Sequence, residues 1–235
     1  MIDRHDFNSD WWGRSVGIIQ DDQWFDLPPS QQRAELAPYA WVEFKSPLPV
    51  IEPSRYTSAG FRLTDTQIAF RIALDKIEET ASMLKLDCVA ASTKPFQLDA
   101  ASMSDFQHER FAHLYGVSSD RITSRFATWA GQLLKAHPDW ALEVSYEGQT
   151  QGWFVAEPTG KGLYLALAML ARGATLSGAS LYRKALHHFA VQGQRIGHAG
   201  FSASNTAVLN IYSQLGARFT AAQGIWLWQA DNPSS

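Results

Sequence analysis

One short segment near the carboxyl end opens on a polar residue and carries one phenol within an otherwise apolar helical stripe. The segment reads NTAVLNIYSQLGARF, residues 205–219, and its apolar positions recur at helical spacing until Gly216 ends the pattern. Either Ser204 or Asn205 can be the N-cap of this helix. Tyr212 is then either a core aromatic residue or a phenol that can donate a proton. Periodicity alone does not distinguish the two roles.

A second segment, ALAMLARGATLSGASLYRKAL at residues 166–186, runs from an apolar strand through a loop of small residues into a helix. Backbone amides at such a helix start, together with the helix dipole, suit an anion such as pyrophosphate. The alternative is a plain strand-to-helix connection with small residues for packing. The candidate anion-binding residues are Arg172, Ser177, Gly178, Ala179 and Ser180.

Two Arg-Phe dipeptides form a third group with possible chemistry. They are Arg110-Phe111 and Arg125-Phe126. A guanidinium beside a ring can hold an anionic ligand and stack on a flat group. The alternative is a solvated arginine next to a core phenylalanine.

Several other classes of site and partner are excluded by composition. The single cysteine, Cys88, cannot form an intrachain disulfide or a thiolate zinc site, and the histidine spacing predicts no metal site. Net charge is −3 and no long basic run occurs, which argues against a nucleic-acid partner. The longest apolar stretch, residues 162–171, is too short to span a bilayer. With no apolar leader run at the start, we expect a cytoplasmic protein without a membrane partner.

The remaining sequence must provide the elements that position these residues. Strand-like and helix-like patterns alternate through the carboxyl-terminal half, which predicts an α/β (α+β) fold with a mixed sheet. A helical pattern also covers residues 98–136. The expected strands are 140–149, 151–158, 163–171, 195–203 and 219–229, although the Ala and Leu content of 163–171 also allows a helix there. The expected helices are 178–192 and the one that follows the cap at residue 204 or 205.

An internal repeat links the two ends of the chain. YTSAGFRLTDTQIAF at 56–70 aligns without gaps on YSQLGARFTAAQGIW at 212–226, which predicts two copies of a strand–helix–strand unit. Tyr56 aligns with Tyr212, and Gln67 with Gln223. A tyrosine at this position therefore also occurs in the amino-terminal copy, where no chemistry is expected.

The late helix and the small-residue loop resemble the GNAT superfamily of acetyl-CoA-dependent N-acetyltransferases. The whole chain is similar to the branch typified by dTDP-fucosamine (dTDP-4-amino-4,6-dideoxygalactose) N-acetyltransferase, because WWG at 11–13 matches an early FFG motif and the two Arg-Phe pairs match RF…RFxAxW. The resemblance implies a GNAT acyl-CoA N-acyltransferase fold with a mixed central sheet in residues 83–235. A partial GNAT-like domain, residues 1–82, is expected to precede it.

The resemblance also implies roles for individual residues. Met169, Leu170 and Ala171 would pair their backbone with the pantetheine of acetyl-CoA, and the loop residues Arg172, Ser177, Gly178, Ala179 and Ser180 would hold the pyrophosphate. Asn205 would contact the pantetheine arm, and Tyr212 would lie beside the thioester sulfur as general acid. Arg110, Phe111 and Arg125 are the expected substrate-binding residues.

The expected reaction is transfer of an acetyl group from acetyl-CoA to a small amine, in the form of a nucleotide-linked amino sugar. A tyrosine pKa of about 10 lies close enough to the thiol's value of about 8.5 for proton transfer to the leaving sulfur. No metal is needed.

Two other functions remain open on the sequence. One is a peptide or protein N-acetyltransferase on the same fold. The other is a non-catalytic GNAT-fold module, since the loop carries fewer glycines than the family pattern. An exposed edge of a split sheet would also allow a homodimer.

Overall fold

A mixed sheet of ten strands runs through the molecule, and the computed structural model describes residues 1–104, 106 and 108–230. The strands are β1 Ile2–Arg4, β2 Val16–Ile19, β3 Trp41–Pro47, β4 Arg62–Ala73, β5 Leu86–Ala90, β6 Ala141–Tyr146, β7 Gln149–Thr159, β8 Gly162–Leu170, β9 Ile196–Ser202 and β10 Arg218–Gln229. The α-helices are α1 Asp6–Trp12, α2 Pro29–Leu36, α3 Ser54–Thr57, α4 Ser119–Ala136, α5 Gly178–Val191 and α6 Thr206–Gln214. The strand order is β1-β2-β3-β10-β4-β9-β8-β7-β6-β5. The predicted α/β class with a mixed sheet is confirmed.

The predicted repeat is confirmed as a local two-fold relation within this sheet. Strands β4 and β10 begin at the corresponding residues Arg62 and Arg218 and pair antiparallel, with Gln67 directly opposite Gln223. Strand β10 lies between β3 and β4, and β4 lies between β10 and β9. The last strand of each copy is thus inserted beside the other copy. The boundary expected after residue 82 stays a prediction.

Strands β8 and β9 separate soon after they meet. Their parallel pairing covers only Leu163 with Gly197 and Tyr164 with His198. On its other side β8 carries an extra residue against β7, because the register shifts between Val155 and Glu157. Such a bulge bends a strand and increases its twist. In the amino-terminal copy, β2 and β3 stay paired over the whole of β2, so the sheet splits in one place only among the described strands.

The two faces of the split region are covered by different elements. Helices α5 and α6 pack on one face, where Phe154 contacts Tyr182 and Phe189. The neighbouring strand residues Trp153 and Val155 point to the opposite face and pack in one cluster with residues of α4. This alternation follows from the two-residue period of a strand.

The helix predicted across residues 98–136 forms only in its second part, as α4. Residues 100–102 and 110–113 form short 3₁₀ turns instead, and Asp105 and Gln107 lie outside the described residues. Asp99 accepts a hydrogen bond from the amide of Ala101, and Glu109 accepts one from Phe111. Acidic side chains that bind nearby amides compete with helix formation, which explains why the amphipathic pattern gave the wrong structure here.

Candidate active site

A cleft of about 600 Å³ opens where β8 and β9 separate, and it reaches both faces of the sheet. From the α5/α6 face it is lined by Phe70, Phe154, Tyr182, Asn205, Val208 and Tyr212. From the opposite face it is lined by His5, Lys45, Tyr164, Arg110, Arg125 and His198. A ligand that enters from one face can therefore meet a second ligand that enters from the other, in the gap between two strands.

Part of the separated edge of β8 is free for a ligand's backbone-like groups. Residues 165–168 line the cleft and have no neighbouring strand on that side. Further along, the amide of Ser104 donates to the Leu170 carbonyl at 3.1 Å, and the Arg172 amide donates to the Ser102 carbonyl at 2.7 Å. The chain itself thus covers the edge at Leu170, and Met169 and Ala171 are buried. The pantetheine contact expected at these three residues stays a prediction, and the open stretch begins before them.

The loop before α5 is held by a buried side chain that the sequence pattern did not reveal. Gln151 Oε1 accepts hydrogen bonds from the amides of Thr175 at 2.8 Å and Leu176 at 3.0 Å. Those two amides are therefore not available to an anion. Ser177 caps the helix by accepting from the Ser180 amide.

The amides that remain for an anion lie in the first turn of α5. Gly178 and Ala179 precede Ser180, whose amide is the first to donate a hydrogen bond within this turn, and so they keep free N–H groups. A Cβ at Gly178 would lie 3.4 Å from Ile211 Cδ1, which shows how closely the start of α5 approaches α6. Arg172 donates from Nε to the Ala101 carbonyl at 3.1 Å. The loop residues lie outside the lining of the cleft, next to the helix that carries Asn205 and Tyr212.

Asn205 and Tyr212 both line the cleft from α6. Asn205, one of the two N-cap candidates, is the N-cap. Its Oδ1 accepts a hydrogen bond from the Val208 backbone amide at 3.1 Å, which leaves its side-chain nitrogen for a ligand. The Tyr212 ring lies 4.0 Å from Phe70 and packs edge-on against Tyr182. Among the described residues its hydroxyl has no hydrogen-bond partner.

The environment of Tyr212 keeps its phenol protonated. Burial raises its pKa well above the ordinary value, and the neighbouring Tyr182 and Tyr164 raise it further. The aligned Tyr56 packs instead against Phe25 and Trp226, away from the cleft. The two aligned tyrosines therefore have different surroundings: Tyr212 lines the cleft, whereas Tyr56 is buried in the core of the amino-terminal copy.

Arg110 is neutralised by its neighbours on the opposite face. Its Nε donates to Glu43 Oε2 at 2.6 Å, and its Nη1 lies 3.2 Å from Glu109 Oε1. Burial alone would raise the pKa of Glu43, but Arg110 and Lys45 hold that pKa below its usual range. The Glu43 carboxylate is thus ionised and occupied by two cations.

Arg125 has a different environment. Its Nε and Nη2 donate to Asn8 Oδ1 at 3.0 and 2.9 Å, and its guanidinium lies over the rings of Phe111 and Phe7. Burial lowers the pKa of Arg125 to about 10, with Arg110 contributing in the same direction, so it stays charged at neutral pH. Phe111 is fully buried beneath both arginines and does not line the cleft.

His198 lies at the point where the strands separate. Thr159 Oγ1 donates its proton to the Gly162 carbonyl at 2.7 Å, so the 3.0 Å contact with His198 Nε2 is made by an N–H on the histidine. The lone pair of His198 is then on Nδ1. Burial lowers the pKa of His198, and Lys161 and Arg71 lower it further, so the ring is neutral at pH 7.

Sequence reasoning identified Asn205, Tyr212 and the two arginines as site residues, and the structure brings these four to one cleft. It missed Tyr164, Tyr182 and Gln151. Gln67 and Gln223, which also line the cleft, had one signal in the sequence, their alignment in the repeat. Among the described residues no cluster of His, Cys, Asp or Glu is arranged to bind a metal, and none of the described helices has the length and apolar character to cross a bilayer.

No family model and no curated protein matches the sequence. Solved structures do match the fold. A GCN5-related N-acetyltransferase from Sphaerobacter thermophilus aligns at TM-score 0.51 and 14% identity, over 85% of this chain and 64% of that one. A tandem GNAT protein from the clavulanic acid biosynthesis pathway aligns at TM-score 0.51 and 10% identity. This alignment covers 94% of this chain and 76% of that one.

A third match is the glucosamine N-acetyltransferase region of a fungal multi-domain GH3 β-N-acetylglucosaminidase. It aligns at TM-score 0.63 and 9% identity, over 97% of this chain and 31% of that one. The chain thus spans less than two thirds of both the Sphaerobacter and the fungal chain. At these identities the matches establish the fold, which is the GNAT fold.

Proposed function

We propose that this protein is an acetyl-CoA-dependent N-acetyltransferase that acts on a small amine. The observation that carries the proposal is the cleft through the split sheet, with a free strand edge and Tyr212 on the α5/α6 side and basic side chains on the other. Structural neighbours with this fold are N-acetyltransferases. The fold positions two reactants in line, and positioning alone can contribute about 7–11 kcal/mol to such a reaction.

The residues present fit acetyl-CoA in the chemistry of their donors. The free edge at residues 165–168 offers the N–H and C=O groups that pantetheine amides pair with, and Asn205, whose side-chain nitrogen is left for a ligand, lines the same cleft. The first turn of α5 offers the amides of Gly178 and Ala179, with the hydroxyls of Ser177 and Ser180. When bound, acetyl-CoA supplies the activated acetyl group.

In the proposed reaction the amine nitrogen forms a bond to the acetyl carbon while the carbon–sulfur bond breaks. The sulfur leaves with the electron pair and takes the proton of Tyr212 Oη. The amine gives up a proton to His198 Nδ1, which the Thr159 hydrogen bond leaves free. Tyr212 and His198 lie on opposite faces of the sheet, as the leaving group and the acceptor require.

For the acceptor we propose a nucleotide-linked amino sugar, as in the dTDP-fucosamine branch. The fungal neighbour is a glucosamine N-acetyltransferase region, so the fold accommodates an amino sugar there. The cleft is also walled by Phe106, Phe126 and Trp129, which suit a ring better than an extended peptide. The peptide acetyltransferase and the non-catalytic module are the rival functions.

Calorimetry with acetyl-CoA tests the proposal first. We expect one-to-one binding with a Kd in the range of about 1 µM to 1 mM, followed by thiol release when amino sugars, free and nucleotide-linked, are added. Thiol release with peptides alone would favour the peptide acetyltransferase. The absence of acetyl-CoA binding would contradict the proposal and favour the non-catalytic module.

His198 predicts a specific pH dependence. Only the neutral ring can accept a proton, so kcat/KM rises with pH through the His198 pKa, which burial places below its ordinary value of about 6.5. In a His198→Gln enzyme, kcat/KM should fall about tenfold or more, and its decrease at acidic pH due to His198 should disappear. The pH dependence that comes from the acceptor amine should remain. Profiles of both enzymes check this, and an unchanged acidic limb in the variant would remove His198 from the mechanism.

A further inference from the structure

We infer that Arg125 binds an anionic group of the acceptor, a carboxylate or a phosphate, on the face of the sheet opposite α5 and α6. This inference rests on the proposed function, and it narrows the acceptor to amines that carry a negative charge. It also assigns the two arginines of the cleft different roles.

The first observation is that Arg125 is buried without an acidic partner. Its side chain lines the cleft and the residue is only 7% exposed, yet its hydrogen bonds go to the neutral oxygen of Asn8. No carboxylate forms an ion pair with it among residues 1–104, 106 and 108–230. A charged group taken out of water is costly unless it is paired, so the arrangement is balanced only when an anion is bound.

The second observation is that the guanidinium still has donors to offer. Nε and one Nη2 proton bind Asn8, while Nη1 has no hydrogen-bond partner in the described part of the chain. The rings of Phe7, Phe111 and Phe126 lie within 5.4 Å of its carbon and fix the plane of the group. A carboxylate or phosphate can receive parallel N–H groups from such a preset edge.

The third observation is the contrast with Arg110. The carboxylates of Glu43 and Glu109 are both engaged with Arg110, and Glu43 also with Lys45. Arg110 therefore holds the wall of the cleft together, and Arg125 is the cation left for a ligand. The backbone of Asn8, in turn, is held by His5, whose Nδ1 accepts a hydrogen bond from the Asn8 backbone amide at 3.3 Å.

Two variants separate anion binding from a structural role for Arg125. Arg125→Gln removes the charge. Asn8→Asp keeps the shape and the hydrogen bonds to Nε and Nη2 but supplies an internal carboxylate, which neutralises the Arg125 guanidinium and weakens its attraction for an anion at Nη1. Circular dichroism and thermal unfolding confirm that a variant is folded before it is used.

The probes are sodium acetate and inorganic phosphate, titrated by calorimetry into the wild type and both variants. Phosphate bound at the start of α5 is common to all three proteins and cancels in the comparison. We expect at least about a tenfold loss of affinity in both variants, with the tighter of the two probes identifying the anion class. Equal affinity in wild type and variants, or no binding of either anion to the wild type, would overturn the inference.

The same proteins are then titrated with acetyl-CoA, whose affinity should not change. If acetyl-CoA binds and neither small anion does, the assignment of Arg125 is wrong and the proposed function stands. If the wild type binds anions through Arg125, glucosamine 6-phosphate or glucosaminic acid should exceed glucosamine in kcat/KM by about tenfold or more. Arg125→Gln should abolish that preference, and a preference that survives in the variant would contradict the inference.

Discussion

A Tyr212→Phe enzyme is expected to lose about a hundredfold in kcat and to bind acetyl-CoA as the wild type does. The reason is that the phenolic hydroxyl is the only part of the side chain removed. The ring contacts with Phe70 and Tyr182 persist, so the cleft keeps its shape. Burial holds the pKa of Tyr212 well above its ordinary value, so the phenol stays protonated at neutral pH. Thiol release under saturating acetyl-CoA gives kcat, and calorimetry gives the affinity.

The repeat provides a matched control in the same chain. Tyr56→Phe makes the same change at the aligned position, where the ring packs against Phe25, Phe44 and Trp226 outside the cleft. We expect turnover to stay at the wild-type level in this variant. If Tyr212→Phe turns over as Tyr56→Phe does, the tyrosine is a packing residue in both copies and the acid must be sought elsewhere.

The largest expected loss of stability is at Gly152 on β7. A Cβ at this position would lie 2.2 Å from the Met169 carbonyl oxygen and 2.4 Å from Leu181 Cδ1. The first of these atoms belongs to the backbone of β8 and cannot move away without breaking the sheet. Gly152→Ala should therefore lower the free energy of unfolding by about 2–4 kcal/mol, which urea denaturation measures.

Gly131→Ala is the control for this prediction. Gly131 lies inside α4, and a Cβ there has no atom within 4 Å. Alanine is the better helix former, so the variant should gain up to about 1 kcal/mol. Equal denaturation midpoints for the two variants would show that the close approach of β7 and β8 at Gly152 does not contribute the stability inferred from the geometry.

The sequence predicted the elements whose signals are local. The N-cap Asn205, the start of α5 after Ser177 and the alternating strands all depend on residues a few positions apart, and the structure confirms them. The repeat was also predictable, because aligned residues need no knowledge of contacts. The first part of the helical pattern expected at residues 98–136 did not form a helix, because Asp99 and Glu109 bind backbone amides that a helix would use.

The residue types that form the site could be predicted from the sequence, but the hydrogen-bond and ion-pair partners of their side chains could not. Arg110 and Arg125 share the dipeptide Arg-Phe, but their main partners are distant in sequence: Glu43 for the first and Asn8 for the second. The role of Gln151 in holding the loop is likewise a contact across strands. Such pairings depend on how the sheet closes, and no spacing in the chain encodes them.

The position of β10 between β3 and β4 has a consequence for how the protein is made. On the ribosome, β3 and β4 emerge early, but the strand that joins them is among the last segments of the described chain to be synthesised. Until then the nascent chain exposes strand edges that invite wrong pairing. An interrupted translation product that stops before residue 218 would thus leave no stable amino-terminal fragment, and the two copies should become resistant to protease together, only once β10 has emerged from the ribosome.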